Sequence, residues 1–341
     1  MSSISGPGPE IWIVLSTHDA GAHLDEQMES IRGQSYSNWR LLMRDDGSRD
    51  GTARHVLDYS KSDSRILLHR EDSDVRHGAC ESYSVLIQGA LSRGAQWIAL
   101  ADQDDVWTPR KLERQVQALL ESSSIAEEPK LLHTDLRVVD ENLEPISESF
   151  LDYAGLRHVD NEPLRTLIIQ NFVTGCTCVF SRGLAARAVP IPPAAVMHDW
   201  WLALNAAAWG KLEFLPIPTT NYRQHSANQV GAKQYASSIA ALIRRSMGLR
   251  KSDIDELVQV VEQARAFQDH LRLATARCPH GPAVETALGL TEDFVSLFGP
   301  SVSRLDRVRG LGRLGISRQD LIRDATLKAK LLTTSFPAPR T

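Results

Sequence analysis

The feature that most limits the fold is a repeated exchange, over the first hundred residues, between short apolar runs and amphipathic stretches. Residues 10–17, EIWIVLST, are apolar and β-branched, bounded by Pro9 and by HDAG, and read as a buried strand ending in a loop. Residues 39–44, 65–69 and 96–101 read as further strands, with helical patterns at 23–32, 52–59 and 79–92 between them. Alternation of this kind implies parallel strands, right-handed crossovers and helices on both faces of one sheet. Ligands in such sheets sit beyond the carboxyl ends of the strands. The polar clusters fall there: STHD follows the first strand, RDDGSRDG the second and ADQDD the fourth, so three strand ends converge on one crevice. There is no GxGxxG after the first strand and no GxxxxGKS anywhere, which removes the usual dinucleotide and P-loop cradles.

The 341 residues allow one large α/β domain and a smaller second unit, since single cores stop growing near roughly 250 to 300 residues. Apolar residues at 42% and charged residues at 23% exclude disordered and membrane-spanning classes. No run approaches the roughly 18 apolar residues of a membrane span, and MSSISGPGPE lacks the basic and apolar regions of a signal peptide, so the expected location is cytoplasmic. Cys80, Cys176, Cys178 and Cys278 are too few and too scattered for a disulfide framework. GCTCVF, which holds a CxC pair, reads as a strand whose thiols pack in the core.

From about Lys130 the strands shorten to LLHTDLRVV and GCTCVF, followed by a helix at 198–209 and two extended pieces ending in NYRQHS. Beyond Gly231 the pattern is helical and amphipathic.

Asp102, Asp104 and Asp105 crowd the end of the fourth strand. Their mutual repulsion is relieved most simply by Mg²⁺ or Mn²⁺, which accept carboxylate oxygens alongside substrate phosphates. The other reading, at even odds, is an acidic N-cap before PRKLERQV. Asp46, at another strand end, can accept a hydrogen bond from the imide of uracil or thymine, or can belong to an Asp-Gly turn with Gly47.

Six co-linear motifs, IVLSTHDAG, LLMRDDGSRDGT, ADQDDVWTPRKLERQV, QNFVTGCTCVFSR, MHDWW and NYRQHSANQVG, resemble the bacterial branch of glycosyltransferase family 2 that contains rhamnosyltransferases of O-antigen and surface-polysaccharide synthesis. The resemblance covers roughly residues 10 to 231. It implies a GT-A-like α/β fold, a Rossmann-like mostly parallel sheet flanked by helices, with a helical C-terminal extension. It divides the chain into a nucleotide-sugar half (1–129), an acceptor-facing half (130–231) and the extension (232–341). It also implies an inverting, metal-dependent transfer, with dTDP-L-rhamnose the favoured donor and a saccharide or lipid-linked saccharide the acceptor; nucleic acid is not an expected partner.

Carried over by residue, Thr17 and Asp19 line the nucleotide pocket, Asp46 reads the base, and Asn171 and Gly175 border the sugar. Asp102 and Asp104 form the metal pair, Asp104 as direct ligand and Asp102 nearer the ribose or metal, and His225 approaches from the other half. Asp199 matches the catalytic base, although Asp at a helix start is also a favourable cap. The family often has Tyr-Asn where this chain has His18 and Asp19, and Asn-x-Gly where it has Arg76, His77 and Gly78.

Several residues carry two readings. Trp107 and Trp200 are either sugar platforms or core, whereas Trp201 is expected in the core. Asp135 shares a strand face with His133 and is the expected acceptor contact. Arg76 and Arg223 suit phosphate or a solvated surface. Arg244, Arg245, Arg250 and Lys251 suit an anionic membrane carrying a lipid-linked acceptor, or a solvated helix face. A nucleotidyltransferase would also use carboxylates and Mg²⁺, but STHDAGAHLDEQ lacks its glycine-rich basic loop. A catalytically inactive carbohydrate-binding protein is the remaining alternative, disfavoured because Asp102, Asp104, Asp199 and His225 are all present.

Overall fold

The computed structural model describes residues 8–69, 76–122, 124–224, 251–277 and 280–333. Its centre is one mixed sheet with strands in the order β3-β2-β1-β4-β8-β6-β9-β5, with β7 on β6. The first four strands, β1 (Ile11–Thr17), β2 (Trp39–Asp45), β3 (Ile66–Leu68) and β4 (Trp97–Ala101), are parallel. They are joined by α1 (His23–Arg32), α2 (Thr52–Ser62) and α3 (Ala79–Ser92). Because side chains alternate across a strand, Ile11, Ile13 and Leu15 enter one core with Leu24, Met28 and Leu112, while Trp12 and Val14 enter the other with Leu86 and Ile87. Burial on both faces is what made these strands read as nearly continuous apolar runs.

The sheet continues without a break into the second half of the chain. β4 is followed by β5 (Val106–Trp107) and α4 (Lys111–Glu121), and then by β6 (Lys130–Val139) and β7 (Pro145–Ser147). β8 (Val179–Ser181) runs antiparallel to β4 and β6, and the long β9 (Lys211–Arg223) runs parallel to β6 and antiparallel to β5. GCTCVF departs from a simple strand: Gly175–Thr177 form a 3-10 turn, held by Thr177 Oγ1 donating to the Thr174 carbonyl at 2.6 Å, before β8 starts. The two extended pieces expected before NYRQHS are one strand, β9, whose register with β6 shifts where Asp135 pairs with Pro218. Pro has no N–H to give to a ladder, and the bulge absorbs that loss.

Short helices α5 (Phe150–Ala154), α6 (Leu164–Leu167) and α7 (Arg182–Ala188) precede α8 (His198–Trp209), which is buried over most of its surface. A helix apolar all round needs cover on every side. The C-terminal helices α9 (Lys251–Arg277), α10 (Pro282–Ser296), α11 (Arg304–Arg313) and α12 (Leu321–Thr333) contribute to the same core as α8. Phe267 meets Trp201 edge-on at 5.6 Å, and His270 Nε2 pairs with Asn205 Oδ1 at 3.0 Å. Among the described residues no helix is long and apolar enough to cross a membrane.

Gly210 joins α8 to β9 at the point where Lys211 N donates to the Pro129 carbonyl. A Cβ there would lie 1.7 Å from that same carbonyl oxygen, a backbone atom that cannot swing away. Gly210→Ala is therefore expected to destabilise the fold by roughly 1 to 3 kcal/mol in urea unfolding; an unchanged midpoint would mean that the two segments are not locked together here.

Candidate functional site

A cleft of about 870 Å³ opens at the carboxyl ends of β1, β2 and β4. Hydrogen bonds among the loops build it. Asp46 N donates to the Thr17 carbonyl at 2.7 Å, and Thr17 Oγ1 donates to Asp45 Oδ1 at 3.0 Å. Gln103, between the two aspartates of the DQD triplet, acts as a backbone surrogate. Its Oε1 accepts from His18 N at 2.7 Å and its Nε2 donates to the His18 carbonyl at 3.0 Å, which ties the β4 loop to the β1 loop. Asp19 sits at φ 45°, in the left-handed region, where its carboxylate accepts from Arg49 N at 2.7 Å.

Asp46 is held more firmly than a turn residue. Burial pushes its carboxyl up, but the N–H groups of His77 and Gly78 at 2.8 Å each and Arg44 Nη1 at 2.6 Å more than offset this, leaving it below the ordinary carboxylate range. The group expected to read a base thus also anchors the loop at 77–78, while still lining the cleft.

Asp102 accepts from the Tyr83 hydroxyl at 2.8 Å and is pushed up to about 7 by burial and by the charge of Asp104, with Asp199 adding to the effect. Asp102 and Asp104 both line the cleft. Behind them, Asp105 is fully buried with Oδ2 unpartnered, and ligand atoms of Asp102, Asp105 and Cys176 lie within 4.8 Å of one another. Burial and the neighbouring Asp105 and Asp102 push the Cys176 thiol far up. The cleft-facing carboxylates Asp102 and Asp104 offer the oxygen ligands that a hard divalent cation would take. His225 lies outside the described residues.

Asp199, in the first turn of α8, is buried and pushed up to about 6 by that burial, against the opposing pull of Gly175 N at 2.9 Å and Trp200 N at 2.6 Å. Asn171 Nδ2 lies 3.4 Å away. Asn171, Gly175 and Asp199 share one wall of the cleft.

Two expected acceptor contacts lie elsewhere. The Asp135 carboxylate accepts from Ser149 Oγ at 2.6 Å and from the N–H groups of Leu136, Phe150 and Leu151, so it anchors the start of α5 and does not line the cleft. Trp200 points into the core, its Nε1 donating to the Leu167 carbonyl at 2.6 Å, because an indole N–H taken out of water needs an acceptor. Trp107 and Trp201 are core residues as well. Arg76 lines the cleft. Arg223, read as a phosphate contact or a surface residue, is neither exposed nor in the cleft lining: its Nε donates to the Asp104 carbonyl at 3.1 Å, its Nη1 to the Glu141 carbonyl at 2.5 Å, and its Nη2 pairs with Glu26. It fixes the acidic loop from beneath.

His198, expected with the remaining histidines at the surface, is instead buried, and its ring stacks on Tyr83 at 3.9 Å. Neither ring nitrogen has a partner among the described residues, and burial pushes the imidazole down to about 3, so it is neutral. Its only sequence signal was its place beside Asp199.

The fold is GT-A-like, with the cleft at the carboxyl ends of its parallel strands. Residues 12–126 match the family model described as Glycosyl transferase family 2. The putative glycosyltransferase EpsE of Bacillus subtilis (strain 168) is 36% identical over 114 residues, 33% of this chain and 39% of EpsE. The glucosyltransferase WfgD of Escherichia coli, named for UDP-Glc and α-D-GlcNAc-diphosphoundecaprenol, is 31% identical over 111 residues, 33% of this chain and 41% of WfgD. The chain thus spans about two-fifths of these curated relatives. Among solved structures, the mannosyltransferase PcManGT of Pyrobaculum calidifontis, in complex with GDP-Man and Mn²⁺, shares the fold at a TM-score of 0.51 and 15% identity, over 97% of this chain and 77% of that one. TarS 1-349 of S. aureus, in complex with UDP-GlcNAc, does so at 0.52 and 11%, over 95% and 90%.

An imidazole with two unsatisfied buried nitrogens costs stability. His198→Phe, which keeps the stack on Tyr83, is expected to stabilise the ligand-free fold by about 1 kcal/mol. Thermal unfolding checks this, and a lower melting temperature would show that the nitrogens contribute to the fold.

Proposed function

We propose that the chain is an inverting glycosyltransferase of surface-polysaccharide synthesis, moving a sugar from a nucleotide diphosphate-sugar to a saccharide or lipid-linked saccharide. The observation that carries this reading is the pairing, in one cleft, of the cleft-facing carboxylates Asp102 and Asp104 with a separate, desolvated carboxylate, Asp199, on the opposite element α8. Thr17, Asp19 and Asp46 form the nucleotide side, with Asp46 accepting from the base. Asp102 and Asp104 would hold a Mg²⁺ or Mn²⁺ ion, and His225 is a further candidate ligand. Such an ion supplies charge neutralisation at the departing diphosphate.

Asn171 and Gly175 border the sugar and orient Asp199. The acceptor oxygen bonds to the anomeric carbon as the bond from that carbon to the diphosphate oxygen breaks, and Asp199 takes the hydroxyl proton. Desolvation suits Asp199 to this role, since it makes the carboxylate a stronger base than one in water. The donor we favour is dTDP-L-rhamnose, a choice that rests on the motif resemblance.

Heat protection by a panel of dTDP-, UDP- and GDP-sugars with Mg²⁺ or Mn²⁺ tests the reading, because a ligand of the native state raises its stability. Protection by dTDP-L-rhamnose above the others is expected, and protection by none would overturn the assignment.

Two outcomes are expected for Asp199. The rate should fall as pH drops through about 6, because the base must be ionised and its carboxyl lies near that value. Asp199→Asn should bind donor normally yet transfer about 10² to 10⁴-fold more slowly. Near-normal turnover of this variant would exclude Asp199 as the base.

A further inference from the structure

We propose that the outer face of the α11–α12 hairpin is a docking surface for an anionic phospholipid bilayer, set beside the rim of the cleft. The proposal rests on the lipid-linked form of the acceptor above only for its purpose; the surface itself is read from the helices.

On α11, Leu305, Arg309 and Arg313 recur at a spacing of four and are all exposed. On α12, Leu321, Ala325, Lys328 and Leu332 follow the same helical face and stand outward or half-exposed. Leu321 is 90% exposed, Leu305 58% and Leu332 41%, so three leucines project into solvent from two short helices. The two faces adjoin, since Arg304 Nη1 donates to the Leu332 carbonyl at 3.3 Å. Single exposed leucines need no explanation, but a stripe of them edged by cations is the pattern of a helix lying in a membrane interface.

Charge selects the partner. Of the basic residues in 304–330, Arg304, Arg309, Arg313 and Lys328 stand outward beside Asp306 and Asp324, while Arg307 and Lys330 are buried, so the outer face is net basic in a chain whose net charge is −4. A second copy of this face would bring like charges together, and the leucine stripe has no counterpart in the phosphate backbone of a nucleic acid. An anionic leaflet satisfies both features: basic side chains are drawn to its surface potential and leucines enter the acyl boundary.

The hairpin is bolted to the cleft. Arg323 donates to the carbonyls of Ala154 and, at 2.8 Å, Gly155, capping the end of α5. Gln319 clamps the backbone of Arg157 in both directions, at 2.8 and 2.7 Å, and its N–H donates to Gln170 Oε1 at 2.9 Å. Leu156 and Asn171, beside these anchors, line the cleft. The hairpin is therefore fixed to the segments that carry Leu156 and Asn171 into the cleft wall.

The test is co-sedimentation of the full chain with vesicles of phosphatidylcholine alone or with about one-third phosphatidylglycerol. Binding to the anionic vesicles, weakened by salt, is expected. Leu321→Glu with Leu332→Glu, and separately Arg309→Glu with Arg313→Glu, should each lower it by roughly tenfold or more, with nucleotide binding and melting temperature unchanged as the check on folding. Absence of binding by the unaltered chain, or equal binding by both variants, would overturn the proposal. So would a dimer in solution that the leucine variants dissociate, which would give the face to a second copy. Because none of these readouts involves sugar transfer, a failure here leaves the proposed activity standing, and a failure of that activity leaves this surface standing.

Discussion

Carboxylates crowded at the end of one strand repel one another, and much of the molecule is arranged to hold them there. Asp102, Asp104 and Asp105 follow β4 within four residues, and Asp199 is close enough to raise Asp102 further. In a partly desolvated cleft such repulsion is screened far less than in water. Left to itself the loop would relax by turning its side chains outward. Three contacts prevent this: Tyr83 holds Asp102, Gln103 clips the loop to His18, and Arg223 grips the Asp104 carbonyl from below. The carboxylates are thereby preorganised, so a cation would meet ligands that need little further ordering.

The opposite wall rests on α8. That helix is apolar on nearly all sides and is buried between the sheet and the C-terminal helices, so its first turn has little freedom. Asp199 is further fixed by Gly175, where a Cβ would stand 3.1 Å from His198 Nε2. The C-terminal helices thus contribute to the site without touching it, by closing the core behind α8. Two walls built on different elements, one strongly acidic and one with a single desolvated carboxylate, can divide leaving-group stabilisation from proton removal.

Much of this was legible in the sequence. The parallel strands β1 to β4 and their helices show as apolar runs and periodic stretches, because burial on both faces leaves a signal that needs no tertiary context. The convergence of STHD, RDDGSRDG and ADQDD followed from strand direction alone. What escaped depended on partners far away in the chain. β9 looked like two pieces because Pro216 and Pro218 interrupt its pattern, and only the bulge against Asp135 makes it one strand. The turn at Gly175 replaced a strand because Thr174 and Asp199 supply its hydrogen bonds. Asp135 and Arg223 offered functional-looking side chains, yet their partners at Ser149, Glu141 and Glu26 turn both to structural use. No local pattern distinguishes a charged residue that serves a ligand from one that serves the fold.

The central claim is that the acidic loop after β4 is a cation-dependent seat for a nucleoside diphosphate. Calorimetric titration of dTDP and UDP into the chain, with Mn²⁺ and then with excess chelator, tests it most directly. Chelation is expected to weaken binding by roughly tenfold or more, about 1.4 kcal/mol, and Asp104→Ala to remove the difference. Equal affinity with and without the cation would contradict it.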